Sequence, residues 1–416
     1  MRILIVTEDL PAAIVGGAGQ HAVVLGNALI DAGHEVHLLG YQRPPGVVGS
    51  CGFNGPLHTL IDFTGARWQE GRLGVFNPLA RPHMARRIWR AIRSLEGAWD
   101  VVHYHGHNPL LGTLVPPTWN FVHTLHDQGA ECITRARFRQ GQICLAKTPQ
   151  ECAGCASPTP NSIQAFLSTM AVKALRIGSR RAFAQHKAIF VSEFLRERYC
   201  EAVGIAPTEI NSVVVHHFVD VQRLRNAVVA EVAEVAEGAA HRSQLRVFMS
   251  GRIDETKGFG AFLAATEALP LERLSITIAG DGPELASLRA AHEPRGVRFL
   301  GWIHPDEVLR HAVAADVHVV PSVWQEAFGS TTAEGLCLGK TVFALDRGAS
   351  PELGIYGEPG QLRLFGTMHE LVASLFEARP LPWRRNERAS VQAALPAVMD
   401  AYRAARHAQI TESRSA

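Results

Sequence analysis

The chain has 416 residues, of which 47% are apolar and 19% charged, and its formal net charge is +2. A single core stops growing near roughly 250–300 residues, so this length predicts two domains. The small net charge gives no reason to expect nucleic acid as a partner, and no apolar run approaches the roughly 20 residues of a membrane span. We therefore expect a cytoplasmic protein whose seven cysteines are thiols or metal ligands rather than disulfides.

The first half of the chain alternates between apolar runs and amphipathic stretches. Arg2–Val6 predicts a strand rather than a signal peptide, Gly17–Ala32 predicts a helix, and His34–Leu39 predicts a second strand. This strand–helix–strand unit is typical of a parallel sheet. Further strands are predicted at Val101–Tyr104, Phe121–Leu125, Lys187–Val191 and Ser212–Val215.

A second alternation follows residues 228–244, which are low in complexity and predict a solvent-facing helix or linker. Helices are predicted at Gly258–Ala268 and Pro283–Ala291, and strands at Leu245–Ser250, Leu274–Ala279, Val297–Leu300, Val317–Val320 and Thr341–Leu345.

Both halves therefore predict an α/β fold, with two Rossmann-like, doubly wound domains that face each other across a cleft and hold a ligand at the carboxyl ends of their strands. We place the first domain at residues 1–218, with a polar, cysteine-bearing insertion at 127–162, and the second at 219–381. A final helical stretch at 382–416 either crosses back to the first domain or packs on the second.

Glycines open the first predicted helix at Ile14–Gly19, where Gly16 and Gly17 allow backbone N–H groups to approach a phosphate. The spacing of Gly17, Gly19 and Ala22 formally matches the fingerprint of a dinucleotide-binding loop. However, the loop after Val6 is about ten residues long, and no ribose-binding acid follows the second strand, which argues against a nicotinamide dehydrogenase. A flexible entry into the helix is the alternative explanation of these glycines.

Two cations follow the strand Leu245–Ser250, in the segment Gly251–Gly258. The guanidinium of Arg252 offers a bidentate fork and the ammonium of Lys257 a compact charge, which together suit a diphosphate. The alternative is a pair of solvated loop cations. Gly280 and Gly282 form another strand-to-helix turn, which is a weak signal in isolation.

Two carboxylates, Glu326 and Glu334, stand eight residues apart around the segment Phe328-Gly329-Ser330-Thr331. A helix that begins near Gly329 leaves its first N–H groups without intrahelical partners, so they can bind phosphate. The carboxylates can accept hydrogen bonds from sugar or ribose hydroxyls. Stabilisation of the helix start alone would also explain Glu334, but it gives no reason for Glu326.

Together these motifs resemble the retaining glycosyltransferases of family 4, which have the GT-B fold, and the resemblance covers nearly the whole chain. It implies a hexosyltransferase-type enzyme that moves a sugar from a UDP- or GDP-sugar to a hydroxyl acceptor without a catalytic metal. The expected setting is bacterial glycan, glycolipid or natural-product glycoside biosynthesis, with a glycan, lipid-linked or small-molecule acceptor. The alternatives are a nucleotide-sugar isomerase or hydrolase and a non-catalytic nucleotide-sugar-binding protein.

The resemblance also implies roles for individual residues. Arg252 and Lys257 would bind the donor diphosphate, Glu326 the sugar hydroxyls and Glu334 the ribose. The donor would also contact backbone at Gly251, Gly280, Gly282, Phe328, Gly329, Ser330 and Thr331, and Gly16 and Gly17 from the other domain. His126 matches the histidine that the family has at a strand end in its cleft. The chain departs from the family at His217-Phe218-Val219-Asp220, where Asn-Gly-Val-Asp is frequent.

Histidines and cysteines form two further candidate groups. His103, His105 and His107 follow one strand and are expected to line the acceptor site, with metal ligation as the alternative. Four thiolates can coordinate a zinc ion tetrahedrally, and the bound metal would stabilise a polar insertion. The candidates for this structural zinc are Cys132, Cys144, Cys152 and Cys155, for which unpaired thiols are the alternative.

Residues 83–94 carry four arginines with Ile88, Trp89 and Ile92. A cationic helix with an aromatic anchor is typical of peripheral contact with a membrane, here at its inner face. The alternative is a solvated face with Trp89 in the core.

Overall fold

The computed structural model describes residues 1–8, 17–41, 51–61, 76–155, 162–235, 244–378 and 386–414. The chain folds into two compact units. Unit 1 comprises residues 1–139, 144–217 and 394–416, and unit 2 comprises residues 140–143 and 218–393.

The first 217 residues supply thirteen strands and helices within the described ranges. In chain order these are β1 (Arg2–Thr7), α1 (Gly17–Asp31), β2 (Glu35–Tyr41), β3 (Leu57–Ile61), α2 (Phe76–Ser94), β4 (Val101–His105), β5 (Phe121–Leu125), β6 (Phe138–Arg139), β7 (Gln142–Ile143), α3 (Ser162–Gln185), β8 (Lys187–Phe190), α4 (Glu193–Val203) and β9 (Ser212–Val214). All of them belong to unit 1 apart from the short strand β7.

Unit 1 is built on a parallel sheet with the strand order β3-β2-β1-β4-β5-β8-β9. All residues of β4 and β5 are buried, because helices cover both faces of a parallel sheet and favour continuous apolar runs. Strand order reverses between β1 and β4, where Thr7 is paired with His105. The carboxyl ends of these strands therefore meet at one edge of the sheet.

The rest of the chain forms unit 2 and a last helix. Its elements are α5 (Val221–Val235), β10 (Leu245–Ser250), α6 (Phe259–Ala265), β11 (Leu274–Ala279), α7 (Leu285–His292), β12 (Arg298–Gly301), α8 (Pro305–Ala314), β13 (Val317–Val320), α9 (Ser330–Cys337), β14 (Thr341–Leu345), β15 (Leu362–Phe365), α10 (Met368–Ala373) and α11 (Val391–Arg414).

The sheet of unit 2 is also parallel, with the order β12-β11-β10-β13-β14-β15. Counted within the unit this is the order 3-2-1-4-5-6 of the doubly wound nucleotide-binding fold. Its core packs Phe259 and Phe262 of the first helix after β10 against the apolar strands, with Ile253, Ile278 and Phe343. The order reverses between β10 and β13, which is where such folds bind ligands.

The last helix, α11, belongs to unit 1 from Ala394 onward. There Tyr402 is fully buried, its hydroxyl lies 2.8 Å from Nδ1 of His103, and its carbonyl accepts a 2.9 Å hydrogen bond from the side-chain amide of Asn120.

Helix α2 uses its apolar residues inside unit 1. Ile88 and Ile92 are buried, and the ring of Trp89 packs edge-on against that of Trp119 with centroids 5.1 Å apart. The described helices include none that is both long and apolar enough to cross a bilayer.

Candidate functional site

The candidate site of unit 2 lies at the carboxyl edge of its sheet, where the strand order reverses. The loop after β10 carries Arg252 and Lys257, the loop after β11 carries Gly280 and Gly282, and the segment after β13 carries Glu326. The register places the first two loops side by side, because Ser250 pairs with Ala279.

Two glycines allow these neighbouring loops to touch. Gly280 has a φ of 145°, and a Cβ built there would lie 1.8 Å from the carbonyl oxygen of Gly251. A Cβ on Gly282 would lie 2.2 Å from the carbonyl oxygen of Ile253, whose N–H donates to the carbonyl of Asp281 at 2.9 Å. Any larger side chain would force the loops apart, so both glycines are needed to hold this edge together.

Lys257 and Glu326 form a direct ion pair, with Nζ 2.7 Å from Oε1. Oε1 also accepts a 2.7 Å hydrogen bond from the hydroxyl of Ser322, and the Lys257 ammonium lies 5.3 Å from the ring centroid of Trp324. Burial opposes ionisation of Glu326, but the charge of Lys257 and the hydrogen bonds from Lys257 and Ser322 outweigh it and lower the pKa of Glu326. The Glu326 carboxylate is therefore ionised at neutral pH.

Arg252 remains largely in solvent. Its guanidinium Nε lies 2.5 Å from Oδ2 of Asp254, and its side chain is 67% exposed. The other oxygen of Asp254 accepts hydrogen bonds from the N–H groups of Thr256 at 3.1 Å and Lys257 at 3.3 Å. Asp254 thus shapes the loop and tethers Arg252 at its rim, where the remaining guanidinium donors can bind an anion.

Helix α9 begins where the sequence predicts. Gly329, with a φ of 101°, precedes its first residue, Ser330. Phe328 is buried at that point. The N–H groups of Ser330, Thr331 and the following residue are the ones that helical geometry leaves without intrahelical acceptors.

Glu334 lies in the second turn of α9. Burial raises its pKa to about 7, against the opposing charge of Arg223. Near neutral pH this carboxyl is therefore divided between its protonated and ionised forms.

The structure brings together some, but not all, of the residues that the sequence singles out in unit 2. Lys257 and Glu326 are in contact, whereas Arg252 is paired with Asp254 instead. Sequence reasoning missed Asp254, Ser322 and Trp324. A helix-capping acid two residues after Arg252 was the available signal for Asp254, while nothing in the local pattern marks Ser322.

In unit 1, histidines at the carboxyl edge of the sheet form a hydrogen-bonded chain. The contacts run from Nε2 of His217 to Nδ1 of His126 at 2.7 Å, from Nε2 of His126 to Nδ1 of His105 at 3.0 Å, and from Nε2 of His105 to Nδ1 of His103 at 3.3 Å. The ring of His21 on α1 packs against three of them, with its centroid 4.6 Å from that of His217.

These imidazoles are held neutral. Burial and the proximity of other histidines lower the pKa of His126 and His105 well below the ordinary value, and burial lowers those of His103 and His217 to about 3. A neutral imidazole donates from one nitrogen and accepts at the other. The tautomer of each ring in the chain is therefore coupled to that of its neighbours.

His107 is separate from this chain. Its Nδ1 lies 2.7 Å from Oδ2 of Asp127, and the charge of Asp127, with their hydrogen bond, outweighs burial and raises the pKa of His107. His103, His105 and His107 thus do not converge on one point. Within the described ranges, no three His, Cys, Asp or Glu side chains are arranged to hold a metal ion.

Gly17 is the first residue of α1, and a Cβ there would meet no atom within 4 Å. Gly16 lies outside the described residues.

The four cysteines of the insertion lie in one neighbourhood of unit 1. A hydrogen bond from Cys155 lowers the pKa of Cys144 to about 5. The same hydrogen bond raises the pKa of Cys155, and the charges of the nearby Cys132 and Cys152 raise it further. The guanidinium of Arg176 lies 3.9 Å from the sulfur of Cys152. All four are free thiols in this structure.

Two family models match the chain. The one described as "Glycosyltransferase Family 4" matches residues 15–223, half of the sequence, and the one described as "Glycosyl transferases group 1" matches residues 244–376.

Curated relatives match over most of their length. The chain is 27% identical over 357 residues to the phosphatidyl-myo-inositol mannosyltransferase of Mycolicibacterium smegmatis, covering 84% of this chain and 77% of that protein. It is 24% identical over 379 residues to the glycogen synthase of Mycobacterium tuberculosis, covering 86% of this chain and 81% of that protein.

Solved structures share the fold. Anabaena Alr3699/HepE in complex with UDP-glucose superposes with a TM-score of 0.58 at 14% identity, with 100% of each chain covered. Sucrose-phosphate synthase from Thermosynechococcus elongatus gives a TM-score of 0.63 at 16% identity, covering 100% of this chain and 99% of that chain. At such identities the likeness shows the fold alone, which is the GT-B fold expected from the sequence.

Proposed function

Since the chain belongs to glycosyltransferase family 4, we propose that unit 2 binds a nucleoside diphosphate sugar at the carboxyl edge of its sheet, through Arg252, Lys257, Glu326 and the first turn of α9. The protein is a retaining glycosyltransferase that moves a sugar from a nucleotide-sugar donor to an acceptor.

The observation that carries this proposal is the Lys257–Glu326 ion pair at the strand-order reversal of unit 2. A partly buried ion pair is weak evidence for stability, since the desolvation cost offsets much of the attraction between the charges. A functional reason for retaining it is that a bound diphosphate can share the Lys257 ammonium, while a sugar hydroxyl donates to Glu326.

In the proposed reaction, the bond between the anomeric carbon and the diphosphate oxygen breaks as the acceptor oxygen bonds to the same face of that carbon. The acceptor proton passes to the departing diphosphate oxygen. Arg252 and Lys257 stabilise the charge that grows on this oxygen, which requires no metal ion, and the helix N-terminus of α9 adds its dipole.

The acceptor is proposed to bind unit 1 beside the histidine chain, with His126 as a residue that contacts it. His217 donates to or accepts from His126 at 2.7 Å, so it orients that imidazole. This differs from the Asn that family members frequently carry at the position of His217.

A thermal-shift screen against nucleoside diphosphates and their sugars tests the donor proposal, because a ligand that binds only the folded state raises the melting temperature. UDP-sugars are tested first, because the structure of HepE was solved with UDP-glucose, and GDP-sugars are tested next. We expect one nucleotide class to stabilise the protein. Equal, negligible shifts with every nucleotide would contradict the proposal.

We further propose that the thiolates of Cys132, Cys144, Cys152 and Cys155 hold a structural zinc ion. Their mutual proximity supports this. So does the backbone of the insertion, where Arg135, Arg137 and Gln140 take up positive φ angles that persist only under external constraint. The sulfurs as they stand do not form a ligand set, so zinc binding would draw them together.

Metal analysis of the purified protein tests this point. We expect one zinc per chain, lost in Cys152→Ser/Cys155→Ser and retained in Cys200→Ser, which changes a buried thiol of α4 outside the insertion. Zinc-free wild-type protein would rule out the site.

Peripheral membrane contact through residues 83–94 also stays a proposal. Arg86, Arg90 and Arg93 are exposed on α2 and support attraction to an anionic surface. The apolar side of this helix, however, is used within unit 1, so α2 supplies charge without an anchor.

A further inference from the structure

Helix α3 (Ser162–Gln185) is apolar on two opposite sides. One side is buried in unit 1 through Val172, Leu175, Ala182 and Phe183. The other carries a row of exposed side chains that we call the α3 stripe: Ile163, Phe166, Leu167, Met170 and Ile177, whose exposed fractions range from 39% to 69%. At about 100° per residue these positions lie on the helix side opposite to the buried set.

An apolar face of this kind requires a partner. Single exposed apolar residues are ordinary, but a contiguous apolar row on a helix marks an interaction site, and a helix that is apolar all round is normally buried. The stripe runs over about 21 Å of helix axis, given a rise of about 1.5 Å per residue. It is therefore long enough to rest on an extended surface rather than in a small pocket.

The charges around the stripe indicate which surface it fits. The 24 residues of α3 contain no Asp or Glu, and Lys173, Arg180 and Arg181 are exposed beside the stripe or at its end. Helix α2 packs against α3, also lacks acidic residues, and exposes Arg86, Arg90 and Arg93. Arg180 shares its charge with Glu209 at 3.5 Å, which leaves a clear cationic excess on these two helices.

We propose that the α3 stripe inserts into the surface of an anionic lipid bilayer, with the exposed cations of α2 and α3 on the lipid headgroups. A bilayer offers both an apolar layer and negative charge, which is what an interfacial helix needs. A second copy of this chain would bring like charges together, which opposes self-association through this face. The stripe supplies the apolar anchor that α2 lacks.

Flotation of the full-length protein with vesicles tests this proposal. We expect binding to phosphatidylcholine vesicles that contain phosphatidylglycerol, weakened by high salt, and much less binding to phosphatidylcholine alone. The variant Ile163→Gln/Phe166→Gln/Met170→Gln keeps residues that favour helices and should lower the affinity about tenfold or more through loss of inserted apolar area.

Ile355→Gln is the matched control, because Ile355 is 54% exposed and belongs to unit 2, and it should bind vesicles like the wild type. Thermal unfolding should be the same for all three proteins, which separates lost binding from lost folding. Failure of the wild type to float with anionic vesicles would overturn the proposal, as would unchanged binding by the triple variant. Light scattering that shows a dimer dissolved by the triple variant, without vesicle binding, would assign the stripe to a second copy instead.

Discussion

At the scale of single residues, the site of unit 2 contains two pairs of oppositely charged side chains. Lys257 neutralises Glu326 at 2.7 Å and Asp254 neutralises Arg252 at 2.5 Å. The resemblance to family 4 implied that Arg252, Lys257 and Glu326 belong to one donor site. It did not predict the pairings, since these depend on loop conformations that the spacing of residues leaves open.

Glu334 provides a pH-dependent test at this scale. Its pKa of about 7 in the folded protein means that a fraction of the molecules carries a proton there at neutral pH. If ribose hydroxyls donate to the ionised carboxylate, nucleotide affinity should rise by about tenfold between pH 6 and pH 8, because binding must release that proton. Calorimetric titrations at both pH values measure this.

Glu334→Gln is the control, because titration of the nucleotide phosphates affects binding to the wild type and to this variant alike. The variant should lose the additional pH dependence and keep only the part that the phosphates cause. An equal pH profile in the two proteins would show that Glu334 does not bind the ligand in its ionised form.

At the scale of elements, the glycines between loops are the most specific requirement of the site. Gly282→Ala should destabilise the fold by about 1–3 kcal/mol, because its Cβ would lie 2.2 Å from the carbonyl oxygen of Ile253. Gly354→Ala is the matched control, since a Cβ there meets nothing within 4 Å and neither glycine has a positive φ. Denaturant unfolding measures both. Equal stability of the two variants would contradict the close loop packing.

Elements buried on both faces were predictable from the sequence, and half-exposed ones were not. The bounds of β5 and β14 are those expected, because mostly apolar runs mark strands that are covered on both sides. The edge strands β3 and β15 were missed, since their residues are mostly half-exposed and give no such run. The predicted helix Gly258–Ala268 is in fact α6, Phe259–Ala265, followed by a short 3₁₀ turn.

The histidine chain likewise escaped prediction. Its members come from β4 and from the ends of β5 and β9, so their contacts depend on strand order and register. The sequence marked His103 and His105 as neighbours on one strand face, but not their link through His126 to His217.

At the scale of the whole molecule, buried neutral histidines make the protein sensitive to acid. Burial lowers the pKa of His103 and His217 to about 3 and that of His123 and His318 to about 4. Below pH 6.5 the unfolded chain binds protons that the folded protein excludes, so the free energy of unfolding falls as the pH decreases toward these values. Each such histidine contributes about 1.4 kcal/mol per pH unit in this window.

His318→Leu should lessen this dependence. Neither ring nitrogen of His318 has a hydrogen-bond partner among the described residues, so an apolar side chain of similar volume should raise stability at pH 7 by about 1–3 kcal/mol. The substitution should also reduce the slope of the free energy of unfolding against pH between pH 6.5 and pH 4.5. His304→Gln, which changes an exposed histidine, serves as control. An unchanged slope in His318→Leu would refute the assignment of His318 as a buried neutral group.

The most direct test of the donor site is the affinity of UDP and GDP for the wild type and for Arg252→Ala, measured by calorimetry. Arg252 is 67% exposed, so its removal should leave folding unchanged while weakening binding of the preferred nucleotide about 10- to 100-fold, as for loss of a hydrogen bond to a charged group. Arg310→Ala, at an arginine that is 63% exposed on α8, should bind like the wild type. Undiminished affinity in Arg252→Ala would contradict the assignment of the diphosphate to this edge of unit 2.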